Sequence, residues 1–226
     1  MLIILNHKMN LTIDEIKHYE KHLRKYDVVV MPQTPYLALF TNGEYTLGSQ
    51  CVSEYDATGG VSAEALKALN VKYTLVGHGE RRVSKRDTDE VILEKVKELL
   101  KYNITPVLCV GEFYKDTIYK NKISIIEKQI SYIFDKVKDN IIIAYEPIWN
   151  IGENTILNVD EIKKVIKHIK DFVNRKYNIN IKVLYGGGVN QNTINDLKTL
   201  DNVDGFVIGS ASLKIDNIKK ICLALN

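Results

Sequence analysis

Eight short runs of apolar and β-branched residues recur along the chain at roughly even spacing. Most are continuously apolar instead of alternating with polar residues, a pattern typical of strands that are buried on both faces of a parallel sheet. We therefore predict eight strands, at residues 2–5, 27–31, 45–51, 73–77, 105–111, 141–145, 181–187 and 205–210.

Segments with the 3.6-residue period of amphipathic helices lie between these runs. The clearest examples cover residues 12–26, 87–102 and 158–177. Thr12 is followed by two acids in the first turn, and Asn158 precedes Glu161 with the spacing of an N-cap and its N3 partner. Because strands and helices alternate without a linker rich in Pro, Gly or Ser, we predict one α/β domain over residues 1–226.

Polar or glycine-rich positions directly follow most of the predicted strands. In chain order they are Asn6 and Lys8, His78 and Glu80, Glu112, Glu146, the glycines at 186–188, and the pair Gly209 and Ser210. Parallel α/β sheets place ligands at the carboxyl ends of their strands, and only a closed barrel brings all the ends to one point. The pattern therefore favours a parallel, eight-stranded (β/α)8 barrel over an open, doubly wound sheet.

The glycine-rich turns after the seventh and eighth strands are suited to an anion. Backbone N–H groups at the start of a helix, with no side chains around them, let a phosphate group approach closely. The candidate base Glu146, the imidazole of His78 and the cation of Lys8 are predicted to share the same end of the barrel. Together these features indicate a site for a small phosphorylated substrate.

Composition argues against several other classes of function. The 31 basic and 28 acidic residues are interspersed and give a net charge of only +3, so no basic block favours nucleic acid or a membrane surface. The apolar stretch at residues 2–5 is too short for a signal peptide or a membrane span, and we expect a cytoplasmic protein. The cysteines, at 51, 109 and 222, have neither disulfide nor metal-site spacing.

Six stretches occur in this order over nearly the whole chain: NHKMN, LVGHGERR, LCVGE, AYEPIWNIG, LYGGGV and DGFVIGSASL. Their sequence and spacing resemble the triosephosphate isomerases, and the combination of GHxERR with YEPxWxIG is highly specific. The resemblance implies a TIM barrel that interconverts dihydroxyacetone phosphate and D-glyceraldehyde 3-phosphate in glycolysis and gluconeogenesis. It also implies an enzyme without a cofactor or a metal, which is usually a homodimer.

The resemblance assigns four residues to the chemistry. Glu146 would be the base that moves a proton between two carbons of the substrate, and Pro147 would restrict the swing of its carboxylate. His78 would polarise the substrate oxygens as a neutral imidazole. Lys8 would offset the negative charge of the enediolate intermediate, and Asn6 would orient the same oxygens.

The resemblance also implies how the phosphate is held and how the site is supported. The N–H groups would come from Gly152, Gly188, Gly209 and Ser210. The loop after Glu146 (residues 147–157, the lid) would close over the substrate and exclude the water that lets an enediolate lose phosphate. Three further side chains would support the site: Glu80, Glu112, which is expected to orient Lys8, and Tyr185, which would bond the lid backbone.

The chain departs from the family pattern at the lid and at two positions expected to contact the base or the lid. Gly79 stands where serine usually follows the histidine, and Gly188 stands where a serine usually clasps the closed lid. The lid tail ENTIL, residues 153–157, replaces the usual T-G-K-T-A. We expect a different latch for the closed lid and a rate several-fold lower, since one such hydrogen bond contributes on the order of 1 kcal/mol.

The loop after the third strand, residues 53–62, is shorter than in the family, where it reaches into the partner's active site. Gly60 stands in place of the usual glutamate, although Thr58 and Gly59 remain, and His7 replaces a tryptophan beside the catalytic lysine. We therefore expect a homodimer, with a weakened dimer or a monomer as the alternatives.

Two other functions stay open from the sequence. A related barrel enzyme acting on another small sugar phosphate would share the phosphate turns but would not need the quartet of Asn6, Lys8, His78 and Glu146. The second is a degenerate barrel that binds phosphate with weak or no turnover, and it is suggested by the glycines at 79 and 188, where the family has serine. An activity measurement separates this second alternative from the isomerase.

Overall fold

Eight parallel strands close into a barrel in which every strand pairs with its neighbours in chain order. A computed structural model describes residues 1–40, 45–56, 58–115, 118–153 and 155–225. The strands are β1 (Leu2–Asn6), β2 (Val29–Met31), β3 (Thr46–Ser49), β4 (Tyr73–Val76), β5 (Thr105–Val110), β6 (Ile142–Tyr145), β7 (Val183–Tyr185) and β8 (Gly205–Ile208). The barrel closes where Leu2 of β1 pairs with Gly205 of β8. The (β/α)8 TIM barrel predicted from the sequence is confirmed.

Helices cover the outside of the barrel. They are α1 (Ile13–Leu23), α2 (Ala63–Ala68), α3 (Gly79–Val83), α4 (Asp89–Lys101), α5 (Tyr119–Phe134), α6 (Val159–Tyr177), α7 (Ile194–Leu197) and α8 (Ile215–Leu225). Segments of 3-10 helix lie at Thr34–Leu39, Ile148–Asn150 and Ser210–Leu213. Within the described ranges, no helix combines the length and the apolar character needed to cross a membrane.

The three helices predicted from periodicity are confirmed as α1, α4 and α6, with ends that differ by a few residues. Their caps explain where they begin. The hydroxyl of Thr12 accepts the N–H of Glu15, whose carboxylate in turn accepts the N–H of Thr12. The side-chain oxygen of Asn158 accepts the N–H groups of Asp160 and Glu161. These local hydrogen bonds satisfy donors that the first helical turn leaves free.

The strands at 45–51 and 181–187 were predicted to be longer than β3 and β7 are. Both runs end in residues that serve the loops beyond the barrel. Gln50 turns its side chain to the carbonyl groups of Lys8 and Met31, and Gly188 adopts a φ of +62°. β3 ends at Ser49, directly before the polar Gln50, and β7 ends at Tyr185, directly before the glycines at 186–188, so both strands are shorter than apolar content alone indicates.

Apolar side chains pack in two layers, one on each face of the sheet. The inner layer fills the barrel with Ile4, Val29, Met31, Leu75, Val107, Cys109, Ile142, Ala144, Leu184 and Val207. The outer layer is larger and lies between the strands and the helices, with Leu5, Val30 and Ile166 among its fully buried members. Because both strand faces are buried, the strands show continuous apolar runs instead of alternation.

Candidate active site

A cavity of about 420 Å³ opens among the loops at the carboxyl ends of the strands. All eight residues predicted to convert or bind the substrate line it: Asn6, Lys8, His78, Glu146, Gly152, Gly188, Gly209 and Ser210. They follow five different strands and meet only because the barrel closes. The three supporting residues, Glu80, Glu112 and Tyr185, lie outside this lining.

Glu146 directly follows β6 and keeps only 1% of its surface exposed. Its Oε2 accepts the backbone N–H of Gly79 at 3.4 Å. Its Oε1 lies 3.8 Å from Nε2 of His78. Pro147 comes next with a φ of −60° and begins the lid, so the strand ends abruptly and leaves the acid at the barrel rim. The carboxylate therefore faces the cavity beside the imidazole.

His78 caps helix α3 with its own side chain. Nδ1 accepts the N–H of Glu80 at 3.3 Å. A ring nitrogen that accepts an N–H carries no proton, so we assign the proton of the neutral ring to Nε2. Nε2 is also the nitrogen closest to Glu146. Nε2 is thus the ring nitrogen left to donate toward Glu146 and the cavity.

Lys8 is held in an unusual backbone conformation, with a φ of +51°. Its N–H donates to Oδ1 of Asn6 at 3.1 Å, and its carbonyl accepts a hydrogen bond from the side chain of Gln50 at 2.8 Å. Its ammonium lies 2.6 Å from Oε1 of Glu80. These contacts offset the local strain and direct the cation. Gln50 was not predicted from the sequence, and its place just beyond a strand is the signal that marks it.

The expectation that Glu112 orients Lys8 is wrong, because the carboxylate of Glu112 lies in the outer layer. The residue is fully buried. Its carboxylate lies 3.0 Å from Nζ of Lys122, 3.1 Å from Nε1 of Trp149 and 3.3 Å from the hydroxyl of Tyr145. The carboxylate beside Lys8 is that of Glu80 on α3 instead. Which side of the barrel wall Glu112 faces depends on the local turn of the chain, which composition does not reveal.

Cys109 lies in the barrel interior with 1% of its surface exposed. Burial raises the pKa of its thiol well above the usual value, and the neighbouring carboxylate of Glu146 raises it further. The thiol therefore stays protonated at neutral pH and can donate a hydrogen bond toward Glu146. Cys109 contacts the candidate base in addition to its packing role.

The turns after β7 and β8 form the glycine-rich wall of the cavity. The carbonyl of Gly188 accepts hydrogen bonds from Nδ2 of Asn190 and from the hydroxyl of Thr193, each at 2.9 Å. Gly209 precedes the 3-10 segment that begins at Ser210. The first N–H groups of such a segment have no partner within it. Asn190 and Thr193 thus hold the turn after β7 in place, and the N–H groups at the start of the 3-10 segment after β8 can bind an anion.

Gly79, where the family has serine, is packed against the lid. A Cβ built on Gly79 would overlap Cδ1 of Ile151 and lie 3.1 Å from Cγ1 of Ile148. A lid isoleucine thus occupies the volume of the missing side chain. The N–H of Gly79 contacts Glu146 in place of a serine hydroxyl. Asn154 of the lid lies outside the described residues.

Gly188 is packed against the lid tail in a similar way. A Cβ built there would overlap the carbonyl oxygen of Thr155 and lie 2.7 Å from its carbonyl carbon. Nδ2 of Asn150 donates to the same carbonyl at 2.9 Å, which braces the lid internally. The expected hydrogen bond from Tyr185 to the lid backbone is not formed, since its buried hydroxyl has no hydrogen-bond partner among the described residues; burial raises the pKa of this hydroxyl. The carbonyl of Thr155 in the changed lid tail thus occupies the space that a serine side chain at position 188 would need.

Comparison with known proteins gives one consistent result. A family model described as triosephosphate isomerase matches residues 1–225. The chain is 36% identical to a protein named triosephosphate isomerase from Buchnera aphidicola subsp. Baizongia pistaciae, with 97% of each protein covered. It is 41% identical to one from Mycoplasmopsis agalactiae over 81% of this chain and 73% of the relative. It is 32% identical to one from Paracoccidioides lutzii over 92% of each.

Proposed function

This chain belongs to the triosephosphate isomerase family, and we propose that its cavity residues carry out the family's reaction by proton transfer. The reaction interconverts dihydroxyacetone phosphate and D-glyceraldehyde 3-phosphate. The proposal rests on the meeting of Glu146, His78, Lys8 and Asn6 in one cavity with glycine-rich turns. A carboxylate, an imidazole, a cation and backbone donors are the groups that proton abstraction beside a carbonyl requires.

Glu146 is the base in this mechanism. Its carboxylate removes a proton from the hydroxymethyl carbon beside the carbonyl of dihydroxyacetone phosphate and leaves an enediolate. The same carboxyl group returns the proton to the former carbonyl carbon, while the hydroxyl proton of the first carbon passes to the former carbonyl oxygen by way of Nε2 of His78, which gives D-glyceraldehyde 3-phosphate. Because the N–H of Gly79 holds Oε2, we assign the proton transfers to Oε1, which lies beside His78.

Three polar side chains stabilise the enediolate. His78 donates the proton on Nε2 to the substrate oxygens as negative charge develops on them. The ammonium of Lys8 offsets that charge, and Glu80 positions the ammonium at 2.6 Å. Oδ1 of Asn6 already accepts the N–H of Lys8, so its amide NH₂ is the group left to donate to the substrate.

The phosphate group binds to backbone N–H groups of Gly188, Gly209 and Ser210, with Gly152 contributed by the lid. Each of these residues lines the cavity. Closure of the lid brings Gly152 to the phosphate and covers the enediolate at the same time. Excluding water in this way favours return of the proton over loss of phosphate, so the same grip serves binding and catalysis.

We propose a homodimer that is weaker than usual in the family. Apolar side chains on neighbouring loops support an interface: Met9 after β1, Tyr55 after β3 and Val83 on α3 are 87%, 67% and 61% exposed in the single chain. Covering them with a second copy would remove apolar surface from water. The short loop at 53–62, of which Ala57 lies outside the described residues, provides less contact than the usual longer loop.

We also propose a cytoplasmic enzyme of glycolysis and gluconeogenesis, without nucleic-acid or membrane partners. The near balance of 31 basic and 28 acidic residues supports this proposal, since it creates no strong field toward either kind of surface. The mechanism calls for no cofactor, because each of its steps is a proton transfer or a hydrogen bond made by the chain itself.

Gly188→Ser is expected to lower kcat about tenfold, although it restores the serine of the family pattern. The new Cβ would displace the carbonyl of Thr155, and the left-handed backbone at 188 costs a non-glycine residue on the order of 1 kcal/mol. Steady-state kinetics should compare it with Gly188→Ala, which carries the same Cβ without a hydroxyl. Equal losses are expected, and a serine variant faster than wild type would contradict the fit between Gly188 and Thr155.

The proposed function is tested by turnover of D-glyceraldehyde 3-phosphate, with the ketose product coupled to NADH oxidation. In deuterium oxide the product should carry deuterium at the carbon that Glu146 reprotonates, because the carboxyl proton exchanges with solvent. Specific activity that falls on dilution from micromolar to nanomolar protein would report the weak dimer. Binding of inorganic phosphate without any turnover would instead identify a degenerate barrel.

A further inference from the structure

Lys122 is a buried cation that lies outside the cavity and has no role in the proton transfers. It projects from the start of α5 with 2% of its surface exposed. Its Nζ lies 3.0 Å from Oε1 of Glu112 and 2.5 Å from Oε1 of Glu161. Burial lowers the pKa of Lys122, and its hydrogen bonds to the two carboxylates raise the pKa by more. Lys122 is therefore a charged bridge between two segments.

Glu112 connects this bridge to the first end of the lid. Its carboxylate accepts the indole N–H of Trp149 at 3.1 Å. Its backbone carbonyl accepts the N–H of Ile148 at 3.0 Å. Both lid residues belong to the 3-10 segment that follows Pro147. Glu112 thus holds the start of the lid through its side chain and its backbone.

Glu161 connects the bridge to the other end of the lid. It lies in the first turn of α6, which begins at Val159, two residues after the lid ends. Asn158 caps this turn by accepting the N–H of Glu161. The first turn of α6 is thereby continuous with the end of the lid. Lys122, on a helix that is not part of the lid, contacts the anchors of both lid ends.

We propose that Lys122 is a positioning residue for catalysis, which ties both ends of the lid to α5 and sets the geometry from which the lid closes. A lid that moves as a unit turns about its two ends, so a tie at both ends fixes its path. Two carboxylates on one buried ammonium form a firm tie, because charges attract more strongly away from water. This inference rests on the proposed closure of the lid over the substrate.

Lys122→Met tests the tie by removing the charge while keeping most of the side-chain volume. We expect kcat to fall about tenfold, because the lid would no longer close over the substrate in the correct position. The dissociation constant for inorganic phosphate is expected to change less than twofold, since three of the four backbone N–H groups that bind it belong to the turns after β7 and β8, and only Gly152 belongs to the lid. We also expect a larger share of turnovers to end in loss of phosphate from the enediolate.

The lid can be observed directly, because Trp149 is the only tryptophan among the 226 residues. Its fluorescence therefore reports the lid without a label. In wild type the emission should change when inorganic phosphate is added. In Lys122→Met the emission of the free protein should already be shifted, because Glu112 no longer holds the indole N–H in place. This readout does not depend on turnover, so it separates the tie from the proposed function.

Two further variants keep the test decisive. Lys163→Met removes an exposed lysine of α6 that pairs with Asp201, and it should change neither kcat nor the emission. The double variant Glu112→Gln with Lys122→Met leaves no unpaired carboxylate at 112 and decides the outcome if the single variant does not fold. It should unfold near the wild-type temperature and still show low kcat, because Glu161 stays untied.

The outcomes are distinct. Low kcat, unchanged phosphate affinity and shifted emission together support the tie. A lower unfolding temperature with wild-type kcat and wild-type emission would overturn it and leave Lys122 a purely structural residue. Wild-type protein without turnover would refute the proposed isomerase, while the emission of Lys122→Met would still decide whether Lys122 holds the lid.

Discussion

Replacing Glu146 with glutamine is expected to reduce kcat about 1,000-fold, within the range that loss of a positioned general base produces. Glutamine keeps the size of the side chain and can still accept the N–H of Gly79, but it cannot take a proton from carbon. Phosphate binding depends on backbone groups of other loops and should change little. The coupled assay at saturating substrate measures kcat, and a titration with inorganic phosphate measures binding.

The control is the second carboxylate among the described residues that line the cavity, Glu153. Glu153→Gln should retain activity within a few-fold of wild type, because Glu153 is on the lid and not beside His78. If Glu153→Gln lost the activity while Glu146→Gln kept it, the base would be assigned to the wrong carboxylate. Comparable losses in both variants would mean that the proton passes through both groups.

Acid is expected to destabilise this protein through His7, and His7→Phe should remove the effect. The imidazole of His7 is fully buried against Tyr19 and Phe40. Neither ring nitrogen has a hydrogen-bond partner among the described residues. Burial accordingly lowers the pKa of His7 from 6.5 to about 4. The folded protein therefore holds this ring neutral where the unfolded chain would protonate it.

The sign of the effect follows from which state binds the proton. Between pH 6.5 and about pH 4 the unfolded chain protonates His7 and the folded protein does not, so stability falls as the pH falls through this window. The loss from this group reaches about 3 kcal/mol at pH 4, since each pKa unit corresponds to about 1.4 kcal/mol. Above pH 6.5 both states are neutral and the contribution of His7 no longer depends on pH.

Urea unfolding of wild type and His7→Phe at pH 7.5 and at pH 4 measures this contribution. The difference in free energy of unfolding between the two proteins should grow by about 3 kcal/mol in favour of the variant at pH 4. His22→Gln, which removes an exposed histidine of α1, serves as the control. A difference that is the same at both pH values would show that the unfolded and folded states bind protons at His7 alike.

Much of the fold and the candidate catalytic part of the cavity lining could be predicted from local patterns. Strands buried on both faces tend to be continuously apolar, and this tendency marks most of the eight along the chain. The helix caps at Thr12 and Asn158 involve residues within one turn, so they can be predicted from the local sequence alone. The predicted residues of the cavity lie at strand ends or in the loops that follow them, and closure of a barrel brings strand ends together whatever the details of packing.

Three features required the tertiary structure. The partner of Lys8 is Glu80 and not Glu112, because the side on which a side chain leaves a strand end depends on the path of the loop. Gly79 packs against Ile151 of the lid, which lies more than 60 residues further along the chain. Bridges such as the one Lys122 makes to Glu161 have the same origin.

Short-range propensity and motif spacing therefore specify the elements, their order and the chemical groups at the strand ends. The tertiary structure alone decided which groups touch across the barrel rim and how the lid compensates for two missing serines. Such contacts join residues that are remote in the chain. Their energy depends on distances and burial, and these exist only once the barrel has closed.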